Sequence, residues 1–262
     1  MDVSVILVNY GTYDLTVQCV ESIRRQTASG LTYEIIVVDN GSPDGSGERL
    51  KTALADCRVI LNARNEGFGA GNNLGLKEAT GKYVFLLNTD TILLNDALGA
   101  FFRFFEAEGI TRRVGCAGCL LEDAHGNPMV SSGDLPTGAR LLWGTIKGYW
   151  SRYVLRRPYT YTGQRIPDGC PSMDVGWVWG ADMFIPRAVL DEIGLFDTGF
   201  FLYFEETDLQ ARMAKAGYGR LLLREPRIVH LAGASSHNVR RFAIYYRSMF
   251  HYIRKHRLFL PW

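Results

Sequence analysis

Tyr83-Val84-Phe85-Leu86-Leu87-Asn88-Thr89-Asp90 runs five apolar residues straight into an amide, a hydroxyl and a carboxylate. A short apolar run closed by turn residues suits a strand buried on both faces. The preceding chain repeats the pattern. Val3 to Val8 is an apolar run, followed by Thr12 as a helix cap and a helical pattern from Leu15 to Gln26. Glu34 to Val38 ends in Asp39-Asn40-Gly41-Ser42 and leads to a helix near Gly47 to Leu54. Val59 to Leu61 is a third strand, after which the loop Asn65-Glu66-Gly67-Phe68-Gly69-Ala70-Gly71-Asn72-Asn73 opens a helix to Ala79. Strand and helix units at this spacing predict an α/β fold with a mostly parallel central sheet and helices on both faces. Ligands gather beyond the carboxyl ends of such strands, where Asn9-Tyr10, Asp39, the glycine loop and Asn88-Thr89-Asp90 all fall.

A chain of 262 residues, 47% hydrophobic and 21% charged, is large enough to bury a full core and is expected to form one compact unit. No apolar run reaches the roughly 18 residues of a membrane-spanning helix, and no basic region precedes the first apolar stretch, so a cytoplasmic location is expected. The five cysteines, Cys19, Cys57, Cys116, Cys119 and Cys170, are too scattered for a disulfide framework. Cys116-x-x-Cys119 lies inside the strand-like run Val114 to Leu121 without a second pair or spaced histidines to complete a zinc site.

The net charge of +2 conceals a segregation. Pro226 to Trp262 holds seven Lys or Arg and no acid, and Leu135 to Pro167 holds six and no acid. Both are rich in aromatics, among them Trp143, Tyr149 and Trp150 in the first region along the chain and Phe242, Tyr245, Tyr246 and Phe250 in the second. Rings with cations suit an anionic lipid surface, and nucleic acid is not the expected partner. The plainer alternative is a basic helix whose Phe242, Tyr245, Met249 and Ile253, recurring at helical spacing, face the core.

Gly67-x-Gly69-x-x-Asn72 differs from a dinucleotide fingerprint at its last position and follows the third strand rather than the first. Its glycines are expected to let the backbone approach a bulky anionic ligand at a helix N-terminus. A carboxylate such as Asp90 at a strand end can hold Mg2+ or Mn2+ under a substrate diphosphate, with Asn88 as a weaker oxygen donor, although Asn-x-Asp is also common in turns. Further along, Glu205-Glu206-Thr207-Asp208 opens a helix running to Ala216, where acids also serve as ordinary complements of the helix dipole.

Taken in order, Val8-Asn9-Tyr10, Val37-Val38-Asp39-Asn40-Gly41-Ser42, the Asn65 to Asn73 loop, Asn88-Thr89-Asp90, Trp179-Gly180-Ala181, Tyr203 to Leu209 and His230 with Gly233 and Ser235 resemble a family 2 glycosyltransferase of the GT-A fold. The similarity is to a bacterial rhamnosyltransferase-like subgroup. It implies a catalytic domain over 1–236, with a nucleotide-binding half at 1–121 and an acceptor-binding half at 122–236. Residues 237–262 then form a basic aromatic segment for contact with the inner leaflet. By resemblance, Asn9, Tyr10, Asp39, Gly69, Asn72 and Asn88 surround the nucleotide, while Asp90 and His230 bind the metal. Glu206 is the catalytic base, with Glu205 as the runner-up. Relatives more often carry Asp at the positions of Asn88 and Glu206.

Trp179, Gly180 and Asp182 lie where relatives hold the acceptor, and Ser131 to Pro167 suits a mobile lid or a platform for sugar rings. The implied activity is inverting transfer of a sugar from a nucleotide diphosphate, with L-rhamnose from dTDP-rhamnose preferred and a UDP-sugar next. The acceptor is expected to be a glycan or lipid-linked glycan in cell-surface polysaccharide biosynthesis. A sugar nucleotidyltransferase is disfavoured because Val8-Asn9-Tyr10-Gly11-Thr12 lacks a Gly-rich, Arg-bearing phosphate loop. A glycan-binding module without turnover is the remaining alternative.

Overall fold

The computed structural model describes residues 1–138, 140–141, 143–144, 150, 165–231 and 239–258. Its first half alternates as expected: β1 (Val3–Asn9), α1 (Tyr13–Gln26), β2 (Tyr33–Asn40), α2 (Ser46–Ala53), β3 (Arg58–Asn62), α3 (Phe68–Glu78) and β4 (Tyr83–Leu87). β5 (Thr91–Leu93) and α4 (Ala97–Phe104) follow, and α4 continues into a π-helical turn, Phe105–Gly109. The second half contributes β6 (Val114–Glu122), β7 (Ser132–Gly133), β8 (Ser172–Asp174), β9 (Trp177–Val178), β10 (Asp182–Pro186), α5 (Arg187–Ile193), α6 (Glu205–Lys215), β11 (Gly219–His230) and α7 (Val239–Lys255).

Nine strands form one sheet in the order β3-β2-β1-β4-β10-β6-β11-β5, with β8 attached to β11. β3, β2, β1 and β4 are parallel throughout. β10 enters antiparallel between β4 and β6, while β11 runs parallel to β6. The parallel α/β sheet read from the sequence is therefore present, and antiparallel β10, β8 and β5 make its second half mixed.

Alternation along the strands fills both layers. Val3, Val5 and Leu7 of β1 pack with Cys19, Val20 and Ile23 of α1 and Phe101 of α4, whereas Ile6 joins Leu76 of α3, Leu190 of α5 and Leu209 of α6. With helices on both faces, every residue of β4 is buried. Cys116 and Cys119 lie buried in β6 as core residues, and all five cysteines are free. α3 lies close to the sheet: a Cβ added at Gly75 would sit 2.5 Å from Ile6 Cγ2, and one at Gly71 would sit 2.8 Å from Val8 Cγ1.

A smaller third cluster joins Phe200, Phe204 and Ala211 to Met249 and Tyr252 of α7. Polar contacts reinforce it. Buried Asp208 meets Arg212 Nε at 3.0 Å, Lys255 Nζ at 2.9 Å and His256 Nε2 at 2.8 Å, and Lys255 also reaches Asp197 at 2.6 Å. Burial alone would raise the Asp208 carboxyl, but the bonds from His256 and Lys255 outweigh it and hold the group below its ordinary value. The core-facing alternative for this helix thus holds for Met249 and Ile253 but not for Phe242, which is 59% exposed. No helix among the described residues is long and apolar enough to cross a membrane. Most of the expected lid at 131–167, and the landmarks Gly233 and Ser235, lie outside the described residues.

Removing Asp208 leaves Lys255 and His256 without their shared carboxylate. Because Lys255 is partly solvated, Asp208→Ala is expected to lower stability by about 2–3 kcal/mol in chemical denaturation and to expose α7 to limited proteolysis before the sheet unfolds.

Candidate active site

Strand direction assembles the site. The register pairs Asn9 with Asp39, Asn40 with Asn62, and Leu7 with Leu87, so four carboxyl ends share one edge of the sheet. Antiparallel β10 starts at that edge with Asp182 opposite Leu87. β11 ends there, with His230 opposite Thr91 of β5.

The last pairing joins residues 139 positions apart in sequence. The Leu231 N–H donates to the Asp90 carbonyl at 2.8 Å, and His230 Nε2 lies 3.1 Å from Asp90 Oδ1. That separation is close to the ~3 Å edge of an octahedron whose ligands lie about 2.1 Å from the ion, so the two atoms fit neighbouring positions around Mg2+ or Mn2+. No group of three or more His, Cys, Asp or Glu that could hold a metal occurs among the described residues. Such a pair suits an ion that takes its other ligands from Asn88, water or phosphate oxygens. Asp90 keeps 23% of its side chain exposed, whereas His230 is buried and its Nδ1 has no hydrogen-bond partner. The turn itself is tied down. The Asn88 N–H donates to the Ala181 carbonyl at 2.9 Å, Thr91 Oγ1 donates to the Asn88 carbonyl at 2.7 Å, and the Thr89 and Thr12 hydroxyls meet at 3.0 Å.

The two glutamates arrive from the other side on an unusual turn. Tyr203 and Phe204 have φ of +71° and +68°, a left-handed conformation that costs non-glycine residues roughly 1–2 kcal/mol each. α7 holds them there: Tyr245 packs on both rings at 5.9 and 5.4 Å, Tyr252 packs on Phe204 at 5.5 Å, and Ser248 Oγ donates to the Leu202 carbonyl at 2.8 Å. The turn starts α6 with Glu205 and Glu206 on different sides. Glu205 is 3% exposed, beside Gly69 of α3, and its Oε2 has no partner. Burial, with the Glu206 charge adding to it, pushes its carboxyl well above the ordinary range. Glu206 is half-buried and lies against Gly180, where an added Cβ would be 3.4 Å from the Glu206 Cβ. Burial raises its carboxyl too, opposed by its backbone hydrogen bonds. The Trp179 ring meets His230 edge-on at 5.5 Å. Trp179 and Gly180, consecutive in the chain, therefore connect the Asp90–His230 pair to Glu206.

A model of the family described as Glycosyl transferase family 2 matches residues 4–170. The chain belongs to family 2 of the glycosyltransferases. It is 26% identical over 209 residues to an N-acetylglucosaminyl-diphospho-decaprenol L-rhamnosyltransferase of Mycobacterium tuberculosis, a match covering 75% of this chain and 66% of that protein, just under two thirds of its length. Among solved structures, GalNAc-T7 with UDP, GalNAc and Mn2+ is similar at a TM-score of 0.67 and 17% identity, over 97% of this chain and 48% of that one. A mannosyltransferase from Pyrobaculum calidifontis in complex with GDP-Man and Mn2+ is similar at 0.62 and 17% identity, over 97% of this chain and 63% of that one. These likenesses show a GT-A fold, in agreement with the observed sheet.

Within this family 2 fold, three expected contacts need correction. Asn9 is fully buried; its amide donates toward Asp39, Ser42 and Ser46, and its oxygen accepts from Thr12 and Thr16, so it holds Asp39 in place and has no free group for a nucleotide. Gly69 faces Phe196 and Glu205, with an added Cβ 3.0 Å from Phe196 Cβ, so helix packing rather than ligand approach requires its small size. Asp182 is buried inside the sheet, where its Oδ2 accepts from the Cys119 N–H at 2.6 Å and desolvation pushes the carboxyl up to about 8. It is out of reach of an acceptor. Of the other expected nucleotide contacts, Tyr10 is 50% exposed, Asn88 is half-buried, and Asp39 is buried but lies at the end of β2 with Ser42 bound to it. Asn72 is buried and donates to the Phe68 carbonyl.

Two contributions escaped the sequence. Asn40 and Asn62 organise the glycine loop: Asn40 Nδ2 donates to Asn65 and to the Gly67 carbonyl, while its oxygen accepts from Asn62. The only hint was the amide-rich composition of these strand ends. The left-handed Tyr203–Phe204 turn left no mark, because aromatic residues carry no preference for that conformation. Gly67, at φ +97°, abuts this turn, and a Cβ there would collide with the backbone of Phe201. Gly67→Ala is accordingly expected to destabilise the protein by roughly 2–4 kcal/mol, read as a lowered thermal midpoint.

Proposed function

We propose that the protein is a metal-dependent inverting glycosyltransferase that moves a sugar from a nucleotide diphosphate to a glycan acceptor. The observation carrying this reading is the shared edge on which Asp90 and His230 lie 3.1 Å apart while Glu206 lies across Trp179-Gly180 from them. Residues 1–121 serve as the donor half and 122–236 as the acceptor half. Asp39 and Tyr10 at the ends of β2 and β1 face the base and ribose, and Asn88 borders the diphosphate.

Mg2+ or Mn2+ held by Asp90 and His230 would neutralise the charge that develops on a departing nucleoside diphosphate. The chain's own contribution is proton management. Glu206 accepts the acceptor hydroxyl's proton as the oxygen attacks the anomeric carbon from the face opposite the leaving group. Its side chain is half-buried, with its Cβ and Cγ against Gly180, so part of it remains open to an approaching hydroxyl. Glu205, enclosed by α3 and pushed strongly toward its neutral form, supports Glu206 as the base: the pair sheds its first proton from the more exposed member.

For the donor, the likeness to an L-rhamnosyltransferase favours dTDP-rhamnose over UDP-sugars. That relative's name, with its diphospho-decaprenol acceptor, supports a lipid-linked glycan as acceptor here. With such an acceptor we place the enzyme in the cytoplasm, working peripherally on the inner membrane face.

Donor screening by thermal shift is expected to show stabilisation by dTDP-rhamnose only with Mn2+ or Mg2+ present, since only a ligand bound to the native state raises the midpoint. Asp90→Asn and His230→Ala are expected to weaken Mn2+ binding at least about 100-fold by electron paramagnetic titration. Stabilisation by the donor that is equal with and without metal would refute the metal assignment.

Glu206→Gln is expected to retain donor binding and lose at least 100-fold in turnover, the lower end for a positioned general base. The base must be ionised to act. Because burial raises Glu206, the acid limb of the parent's rate profile should lie above the ~4.3 of an ordinary glutamate, with activity rising as pH increases through it. Unaltered product formation by Glu206→Gln would remove the proposed base.

A further inference from the structure

α7 has two faces that differ in chemistry. Its inner face packs Met249 and Tyr252 onto Phe200 and Phe204, and Ser248 bonds to Leu202. Turned away from that face, Phe250, Arg247 and Arg254 are exposed; Phe242, one heptad before Met249, is exposed near the start of the helix, and Arg257 is exposed just past its end. Phe242 and Phe250 are 59% and 63% exposed, unusual for phenylalanines with an apolar cluster on the same helix. From 239 to 258 the sequence has no acid. Trp143, 59% exposed, lies two residues beyond Leu141, which packs against the same cluster.

We infer that this outer face of α7 is a docking surface for an anionic lipid bilayer, with Phe242 and Phe250 entering the headgroup layer and Arg247, Arg254 and Arg257 meeting lipid phosphates. Exposed rings beside guanidinium groups match the layering of an interface, where the acyl boundary lies beneath a sheet of negative charge. A second copy is a poor occupant, because pairing this face with itself would set arginines against arginines without an acid to balance them. The inference deepens the lipid-linked acceptor reading and rests on it for its purpose. A helix seated on the bilayer also braces the turn that carries Glu205 and Glu206, which would bring the base to the depth of a lipid-borne acceptor.

Flotation of the full chain tests the inference in the absence of donor and acceptor, so its outcome is separate from that of the sugar-transfer reading. The parent is expected to rise with vesicles of phosphatidylcholine and phosphatidylglycerol, to rise less with phosphatidylcholine alone, and to be released as salt increases. Arg247→Glu with Arg254→Glu and Arg257→Glu is expected to reduce partitioning at least 100-fold, given about a tenfold contribution or less from each arginine and added repulsion from each glutamate. Phe242→Ser with Phe250→Ser should reduce it in vesicles of either composition. Both variants should keep the parent's thermal midpoint and its turnover on a water-soluble acceptor fragment. Parent protein that stays with the unbound fraction, or variants that float as the parent does, would overturn the inference. So would loss of a concentration-dependent dimer in the variants, or binding of single-stranded nucleic acid in preference to vesicles.

Discussion

β4 joins the two halves of the molecule through its backbone hydrogen bonds. It pairs in parallel with β1 on one side and antiparallel with β10 on the other, so that Leu87 faces both Leu7 and Asp182. The chain leaves this strand through Asn88-Thr89-Asp90, bonded to Ala181 across the junction, and re-enters the sheet as β5 against the end of β11. One buried strand thereby fixes the distance between the Asp90 carboxylate and the second half of the chain. Because every β4 residue is buried, a slip in its register would move apolar side chains out of both layers at once, and that penalty keeps the site geometry in place.

The acidic side depends on a different balance. Two consecutive aromatic residues in the left-handed region are unfavourable alone, and they persist because α7 packs rings against both and donates the Ser248 hydroxyl to the Leu202 carbonyl. The same helix ends in Lys255 and His256, which neutralise the buried Asp208 one turn into α6. Asp208 is thus a structural acid, anchoring the C-terminal helix beyond any service to the helix dipole, while its neighbours Glu205 and Glu206 meet no cation in a hydrogen bond or ion pair among the described residues. Three acids in four residues, at one helix start, have opposite electrostatic fates. The partners supplied by α7 make the difference.

The glycines of α3 show how a sequence pattern can be right in place and wrong in reason. Their density suggested backbone approaching a ligand, yet Gly69, Gly71 and Gly75 face Phe196, Val8 and Ile6, and their size lets the helix lie close to the sheet. Gly67, just before α3, needs both its freedom of φ, at +97°, and its lack of a Cβ, which the Phe201 backbone would exclude. Asp182 is a similar case: it neighbours Trp179 and Gly180 in sequence, but strand alternation turns it into the sheet.

Local periodicity determined the alternating elements of the first half, their parallel pairing and the edge where polar residues collect, because those features arise from apolar runs and turns only a few residues long. The ordered landmarks singled out Asp90, His230, Glu205 and Glu206 as candidates. Tertiary structure alone decided which of them meet. Asp90 and His230 become neighbours through an antiparallel pairing across 140 residues, Glu206 faces Gly180 while Glu205 is shut against α3, and Phe242 stays exposed near the start of α7 while Met249, one heptad on, is covered. Such choices depend on strand register, a strained turn and where along one helix its packing partners lie. These are set by long-range packing, and no short stretch of sequence contains the partners that enforce them.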